Sequence, residues 1–342
     1  MSIALSLIVF TVLVALAFDL VNGFHDAANS IATVVSTRVL KPHVAVLWAA
    51  FFNFAAMFVF TPHVANTISK IVKIQQSDFN YVYVVLFGLL SAIAWNLLTW
   101  WLKLPTSSSH ALIGGISGSG IAHAGWDALR WDLLSNTIAF IVIAPLLGFF
   151  LGFCIMVMLY WIFRKWRPIQ VDGFFRKGQL VSAAFYSLGH GANDAQKTMG
   201  IILALLIAGG VAAGDTQLTM TNPKTAWIIF SCQAVLAIGT ALGGWRIVRT
   251  MGMGITKLKP IGGFSAESAG AFTLFLATHW GIPVSTTQTI TGSIMGVGSV
   301  KSRVSAVKWG VASQIFWAWV LTIPGTALLA GVLYKLGAFV FF

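Results

Sequence analysis

Two acidic residues, Asp26 and Asp194, lie in apolar stretches of the sequence, and each follows a glycine by three positions. A charged group near the centre of a bilayer costs at least about 2.5 to 3.5 kcal/mol, so a carboxylate there needs a partner or a function. A glycine can interrupt a helix, which frees amides for an anion and carbonyls for a cation. The two segments are therefore candidates for an ion site. The alternative is a carboxylate that only bonds to backbone amides at a helix break.

Two clusters of hydroxyl side chains follow Pro105 and Pro283. A proline followed by small polar residues suits the first turn of a helix. The hydroxyls are those of Ser107, Ser108, Ser109, Ser285, Thr286 and Thr287. With exposed backbone amides, six hydroxyls can surround a tetrahedral oxyanion without any arginine. The alternative is that they cap helices and pack closely.

Four of the nine acids sit in apolar segments, and the other two of these four are Asp19 and Glu267. Glu267 is a candidate for neutralising a coupling ion or proton, or else a hydrogen-bonded acid of the core. Asp19 either belongs to an ion site or lies at a membrane interface.

The amino-acid composition indicates the class of protein to which these residues belong. Of 342 residues, 58% are hydrophobic and only 9% are charged, against about 25% charged in soluble domains. An all-α integral membrane protein is expected, and a cytosolic enzyme is excluded. The net charge of +12 comes from basic residues in short loops, which indicates membrane orientation rather than nucleic acid.

A bilayer core requires about 20 apolar residues per helix, and the sequence divides into about ten such stretches. They are residues 3–37, 43–60, 80–101, 105–122, 133–163, 180–213, 226–244, 264–280, 282–300 and 309–334. The first and sixth, which carry the two aspartates, are expected to be broken helices.

The charges of the loops predict the orientation of these spans. The segment 164–179 carries five basic residues against one acid, which places it in the cytoplasm. It separates an N-terminal membrane repeat, 1–163, from a C-terminal one, 180–342. Each half then makes five crossings in opposite directions, with both termini outside. One loop does not agree with this orientation. Residues 61–79 are predicted to be external, although they contain two lysines and one acid.

The two halves also resemble each other in sequence, as inverted repeats should. Residues 22–30 align with 190–198, matching the glycine, the aspartate and the alanine that follows it. Residues 105–120 align with 283–298, with six identities in sixteen positions. The duplication places both aspartates at one pseudo-twofold interface.

Four segments, NGFHDAAN (22–29), HGANDAQK (190–197), PTSSSH (105–110) and PVSTTQ (283–288), resemble the duplicated signatures of the inorganic phosphate transporter (PiT) family. The resemblance implies a secondary transporter of the cytoplasmic (inner) membrane, with 10 to 12 transmembrane segments including broken helices. It implies symport of phosphate with a cation, proton or sodium, and no other cofactor. Inorganic phosphate and the lipid bilayer are the expected partners, nucleic acid is not, and only the resemblance suggests a homodimer.

Carried over residue by residue, the resemblance places Asp26, Asn29, Asn193 and Asp194 at the substrate and ion site together with the six hydroxyls. This chain has Lys197 where sodium-coupled members have an asparagine, and His25 where they have another. A fixed ammonium could replace a sodium ion, and histidines titrate near neutral pH. Proton coupling is therefore the hypothesis, with a neutral metal phosphate as a further form of substrate. The coupling candidates are His25, Lys197, Asp19, Glu267 and His110. The alternative is that Lys197 forms a structural ion pair with Asp194 or Asp26.

Two other functions stay open at this stage. Sulfate is also tetrahedral, but it lacks the proton with which hydrogen phosphate can bond to Asp26 or Asp194, so the acids favour phosphate. An intramembrane hydrolase could use Ser, His and Asp as a triad. An enzyme needs one asymmetric constellation, however, whereas every motif here is duplicated, which favours a transporter.

Overall fold

The computed structural model describes residues 3–73, 79–301 and 307–341. Within these ranges the chain forms twelve α-helices. They are α1 (Ile3–Ser36), α2 (Pro42–Ala55), α3 (His63–Ile68), α4 (Asn80–Trp101), α5 (Ser108–Ala124), α6 (Trp131–Ile162), α7 (Pro168–Ala208), α8 (Pro223–Leu242), α9 (Trp245–Arg249), α10 (Pro260–His279), α11 (Thr286–Lys301) and α12 (Trp309–Phe341). Asp78 and Arg303, whose charges entered the prediction of orientation, lie outside the described residues.

The helices that carry the two aspartates are continuous, so the breaks predicted within 3–37 and 180–213 are wrong. α1 runs unbroken past Gly23, and α7 runs unbroken past Gly191. Each glycine lies against the backbone of another helix: a Cβ at Gly23 would lie 3.1 Å from the Thr240 nitrogen, and one at Gly191 would lie 2.7 Å from Cα of Asn53. These glycines therefore permit close packing of helices rather than a break.

The discontinuities lie instead just before the hydroxyl clusters. The chain leaves α4 at Trp101 and α10 at His279, and α5 and α11 begin several residues later. Ser107 Oγ accepts a hydrogen bond from the His110 amide, and Ser285 Oγ accepts one from the Gln288 amide, both at 3.2 Å. Each cluster thus supplies the N-terminal cap of a helix that starts inside the protein.

Helices of each half pack against helices of the other half, which we call exchanged packing. α5 packs on α12 and α11 packs on α6, while α1 contacts α8 and α7 contacts α2. Small residues make these contacts close: a Cβ at Gly118 would lie 2.6 Å from the Ala327 carbonyl carbon, and one at Gly296 would lie 2.8 Å from that of Phe149. These glycines let the helix backbones approach closely, and the halves form one interlocked body.

The surface of this body is apolar, and its interior holds buried polar side chains beside two apolar core clusters. Among the residues that the structure describes, five helices are long and apolar enough to cross a membrane, namely those within Ala4–Ser36, Asn80–Trp101, Trp131–Ile162, Pro223–Leu242 and Trp309–Val340. Leu146, Phe150 and Leu328 are more than 60% exposed, whereas the hydroxyls at the start of α5 and α11 are buried. The exposed apolar side chains differ from the surface of a soluble protein and place lipid around the outer helices.

Candidate functional site

The structure brings the two predicted aspartates together at the contact between α1 and α7. Ligand-type atoms of Asp26, Asp194 and His190 all lie within 4.8 Å of one another. These three side chains are at most 2% exposed. The polar cluster is therefore shielded from both faces of the membrane in this conformation.

Lys197 connects this cluster to the N-terminal half. Its Nζ lies 2.5 Å from Asp194 Oδ1, 2.5 Å from Ser109 Oγ and 3.0 Å from the Val284 carbonyl oxygen. His190 Nε2 lies 3.1 Å from the other carboxylate oxygen of Asp194. The ion pair of Lys197 with Asp194, weighed as the alternative to a coupling role, is present. A fixed ammonium thus stands beside Asp194, where a bound cation could otherwise lie.

Asn29 occupies the equivalent place in the other half. Its Nδ2 donates to Thr286 Oγ1 at 3.1 Å and to Thr287 Oγ1 at 2.9 Å. The Thr286 hydroxyl in turn donates to Asp194 Oδ2 at 3.3 Å. Each aspartate helix therefore reaches the hydroxyl cluster of the opposite half, as the pseudo-twofold axis requires.

His25 and Asn193, which are equivalent in the alignment, make different contacts. His25 Nδ1 lies 2.7 Å from Asp26 Oδ1, and its Nε2 lies 3.2 Å from Thr99 Oγ1. Asn193 Oδ1 accepts from the Val284 amide at 3.4 Å. His25 thus contacts a carboxylate directly, whereas Asn193 holds the chain that enters α11.

The six hydroxyls divide by task. Ser107 and Ser285 cap helices, so the capping alternative holds for these two. Ser109, Thr286 and Thr287 bond to Lys197 and Asn29 inside the cluster. Ser108 Oγ is buried without a hydrogen-bond partner among the described residues, and so is Nδ1 of the neighbouring His110. These two groups are available to a ligand.

Glu267 and Asp19 lie in separate hydrogen-bond networks. Glu267 accepts from Gln179 Nε2 at 2.9 Å and from Ser182 Oγ at 2.5 Å, which fits the reading as a hydrogen-bonded core acid. Asp19 Oδ1 accepts from Thr198 Oγ1 at 3.0 Å. Asp19 is fully buried within the protein.

Several residues of the cluster were missed in the sequence. His190 stands in the second motif at the place that Asn22 has in the first, so the alignment contained a signal for it. Thr99 contacts His25, and the Tyr186 hydroxyl donates to the Thr286 carbonyl oxygen at 3.0 Å. These two lie outside every aligned motif, and only the tertiary structure could reveal them.

The fold and the duplicated polar cluster define a multi-pass membrane transporter made of two halves with exchanged packing. Comparison with known proteins identifies it more closely: the model of the phosphate transporter family matches residues 22–171 and 163–330, and the chain belongs to this family. It is a transporter and not an enzyme, so the hydrolase alternative is wrong.

Individual relatives agree over nearly the full length. The chain is 50% identical over 333 residues to a "Probable low-affinity inorganic phosphate transporter" of Rhizobium meliloti (strain 1021), covering 97% of each chain. It is 43% identical to a protein of the same description in Bacillus subtilis (strain 168), covering 98% of each. A solved structure titled "The sodium-dependent phosphate transporter" has a TM-score of 0.86 at 22% identity, covering 98% of this chain and 99% of the other. That likeness supports the fold.

Proposed function

We propose that this protein is a symporter that imports inorganic phosphate across the cytoplasmic membrane and is driven by protons rather than sodium. The observation that carries the proposal is the 2.5 Å contact between Lys197 Nζ and Asp194 Oδ1. The proposal keeps the orientation predicted from the loop charges, with both termini outside and the segment 164–179 in the cytoplasm.

The ammonium of Lys197 argues against a sodium ion beside Asp194. Sodium is a hard cation that takes oxygen ligands, and Lys197 already occupies one carboxylate oxygen and the Ser109 hydroxyl. A sodium ion bound to the same carboxylate would lie close to the Lys197 ammonium, and two like charges repel strongly in a buried site. On the other side, His25 Nδ1 lies 2.7 Å from Asp26 Oδ1, so an imidazole and a carboxylate share one hydrogen bond. Proton movement at His25 and Asp26 is therefore the proposed coupling.

Phosphate is proposed to bind between the two aspartate helices and the N-terminal ends of α5 and α11. The amides and hydroxyls of these two helix starts favour an oxyanion, and Lys197 adds a full positive charge. Hydrogen phosphate can also donate its proton to the carboxylate of Asp26 or Asp194, a bond that sulfate cannot make. The site thus supports phosphate over sulfate.

A neutral metal phosphate is a second proposed form of the substrate. It is supported by the closeness of Asp26, His190 and Asp194, whose ligand atoms lie within 4.8 Å of one another. The bound phosphate offsets the charge of the metal, so the repulsion from Lys197 that argues against a bare sodium ion does not apply to the neutral complex. If this form is carried, chelation of divalent metal by EDTA at constant phosphate will lower uptake. Unchanged uptake would leave free phosphate as the substrate.

Uptake by purified protein in liposomes tests the main proposal. With an inward proton gradient and no sodium, labelled phosphate should accumulate, and an inward sodium gradient at equal pH should add nothing. Accumulation that depends on sodium alone would refute proton coupling. Excess unlabelled sulfate should compete weakly, and equal inhibition by sulfate and phosphate would refute the substrate assignment.

A further inference from the structure

A cavity of about 610 Å³ opens where the end of α3 and the turn before α6 meet the C-terminal end of α7. Its polar lining includes Lys70, Lys73, Arg130 and Ser69, with Asp215 as the one acid among the described lining residues. Neither lysine forms an ion pair within the part of the chain that the structure describes. The cavity therefore carries an excess of positive charge.

This cavity and the basic segment 164–179 lie on opposite sides of the membrane. Leu203 and Ile207 line the cavity from α7, and α7 begins at Pro168. The 35 residues from Pro168 to Leu203 span about 50 Å at 1.5 Å per residue, more than the roughly 30 Å of a hydrocarbon core. With segment 164–179 in the cytoplasm, the cavity faces outside.

The backbone fixes the basic residues in place. An isolated β-bridge joins Val72 to Leu129, with the Lys73 amide 2.8 Å from the Ala128 carbonyl oxygen and the Arg130 amide donating to Ile71. The bridge holds two segments with like charges together despite their repulsion. Arg130 also pairs with Asp132 at 2.8 Å. Lys70 and Lys73 thus keep no ion-pair partner among the described residues, and Asp215 offsets one of their two charges.

Positive charge on the outer face opposes the charge distribution that orients membrane proteins. The basic residues of this cavity go against this rule, and the backbone holds them in place. Their position therefore needs another explanation. A divalent oxyanion that must enter from this side supplies one, because basic walls raise its local concentration.

The cavity also continues toward the buried site. Asn66 and Gln217 line both it and a second cavity of about 400 Å³. The second cavity reaches Ala192 and Gln196 on α7, on the turn that carries Asp194. Gln196 Oε1 accepts from the Val64 amide at 2.8 Å, and its Nε2 donates to the Thr61 carbonyl oxygen at 3.0 Å. These bonds tie the segment before α3 to α7 at the inner end of the route.

We propose that the basic cavity, with Lys70 and Lys73, is an external binding site that captures divalent phosphate before it enters the buried site. This inference rests on the proposed import of phosphate. The lysines act by long-range attraction, which salt screens, and they do not contact the substrate during its passage through the membrane.

The test compares the double variant Lys70→Gln/Lys73→Gln with Lys335→Gln. Lys335 is an exposed lysine near the C-terminal end of α12, on the same side in the proposed orientation, and it does not line the cavity. At low ionic strength the double variant should raise the KM for phosphate about three- to tenfold with an unchanged maximal rate. The difference should vanish near about 1 M salt, where the Debye length is about 3 Å.

A KM unchanged in the double variant, or raised equally by Lys335→Gln, would overturn the external site while leaving phosphate import standing. Absence of phosphate uptake by the unaltered protein would instead refute the proposed function. A Lys73→Cys variant checks sidedness in intact cells with a membrane-impermeant thiol reagent. Labelling that phosphate slows is expected, and labelling only after the cells are opened would overturn the proposal.

Discussion

Asn29 and Lys197 stand at equivalent positions in the two halves, three residues after Asp26 and Asp194. Both reach the hydroxyl cluster of the opposite half, Asn29 at Thr287 and Lys197 at Ser109. One offers a neutral amide and the other a full positive charge. The scaffold is thus nearly symmetric, while the electrostatics are not. The difference teaches that the duplicated backbone sets the geometry, whereas single side chains on it set the charge that each half presents at the site.

The largest expected effect comes from removing Asp194, the carboxylate in the half that also carries Lys197. Asp194→Asn leaves the ammonium of Lys197 buried without its partner, which costs about 3 to 5 kcal/mol of stability. Transport should be abolished, and thermal unfolding in detergent should shift to a lower temperature. Asp26→Asn, in the half that carries Asn29, should also abolish transport but leave expression in the membrane intact.

The double variant Asp194→Asn/Lys197→Gln serves as the control for this prediction. Removing both charges should restore most of the stability lost in Asp194→Asn, without restoring transport. A stable and active Asp194→Asn protein would refute the importance of the pair, and wild-type uptake in Asp26→Asn would refute the site on α1.

The next largest effect comes from making the two halves alike. Lys197→Asn removes the ammonium and adds an amide oxygen, so a sodium ion can bind beside Asp194. Binding to the folded state alone stabilises by about 2.7 kcal/mol when the ligand is at 100 times its Kd. Sodium should therefore raise the Tm of this variant, whereas equal choline should not.

Lys197→Met is the matched variant, since it lacks both the charge and the oxygen. It should lose stability without gaining any sodium effect. A Tm of Lys197→Asn that does not respond to sodium would show that the lysine does not fill a cation position.

A smaller effect is expected at the two mirrored helix contacts. Gly118→Ala and Gly296→Ala each force a methyl group into the backbone of α12 or α6, and such overpacking costs about 1 to 3 kcal/mol. Similar losses of Tm in both variants would support exchanged packing of equal tightness. A loss in only one would show that the halves are anchored unequally.

The smallest effect is expected at the two helix caps. Ser107→Ala and Ser285→Ala each remove one hydrogen bond to a backbone amide, at about 1 kcal/mol. Equal shifts in Tm would confirm that the caps are equivalent. A loss of transport far beyond the loss of stability in one variant would instead assign that hydroxyl to the substrate.

The sequence predicted the membrane class, the duplication and the meeting of Asp26 with Asp194, because repeats and submerged charges are visible in a single chain. It was misleading at Gly23 and Gly191, since a glycine that breaks a helix and one that admits a neighbouring backbone look the same in sequence. The contact of His25 with Thr99 and of Lys197 with Ser109 depends on how distant helices pack. From the sequence, an ion pair of Lys197 with Asp194 or Asp26 was one of two alternatives, and the other was a role in coupling.

The exchanged packing of α5 on α12 also bears on how the chain is made. α5 leaves the ribosome nearly two hundred residues before the last helix, Trp309–Phe341, begins. Until that helix arrives, the small-residue face of α5 around Gly114 and Gly118 faces lipid or another protein instead of its final neighbour. The first half of the protein therefore completes its packing only after α12 has been made, so termination before α12 would leave both halves unfinished.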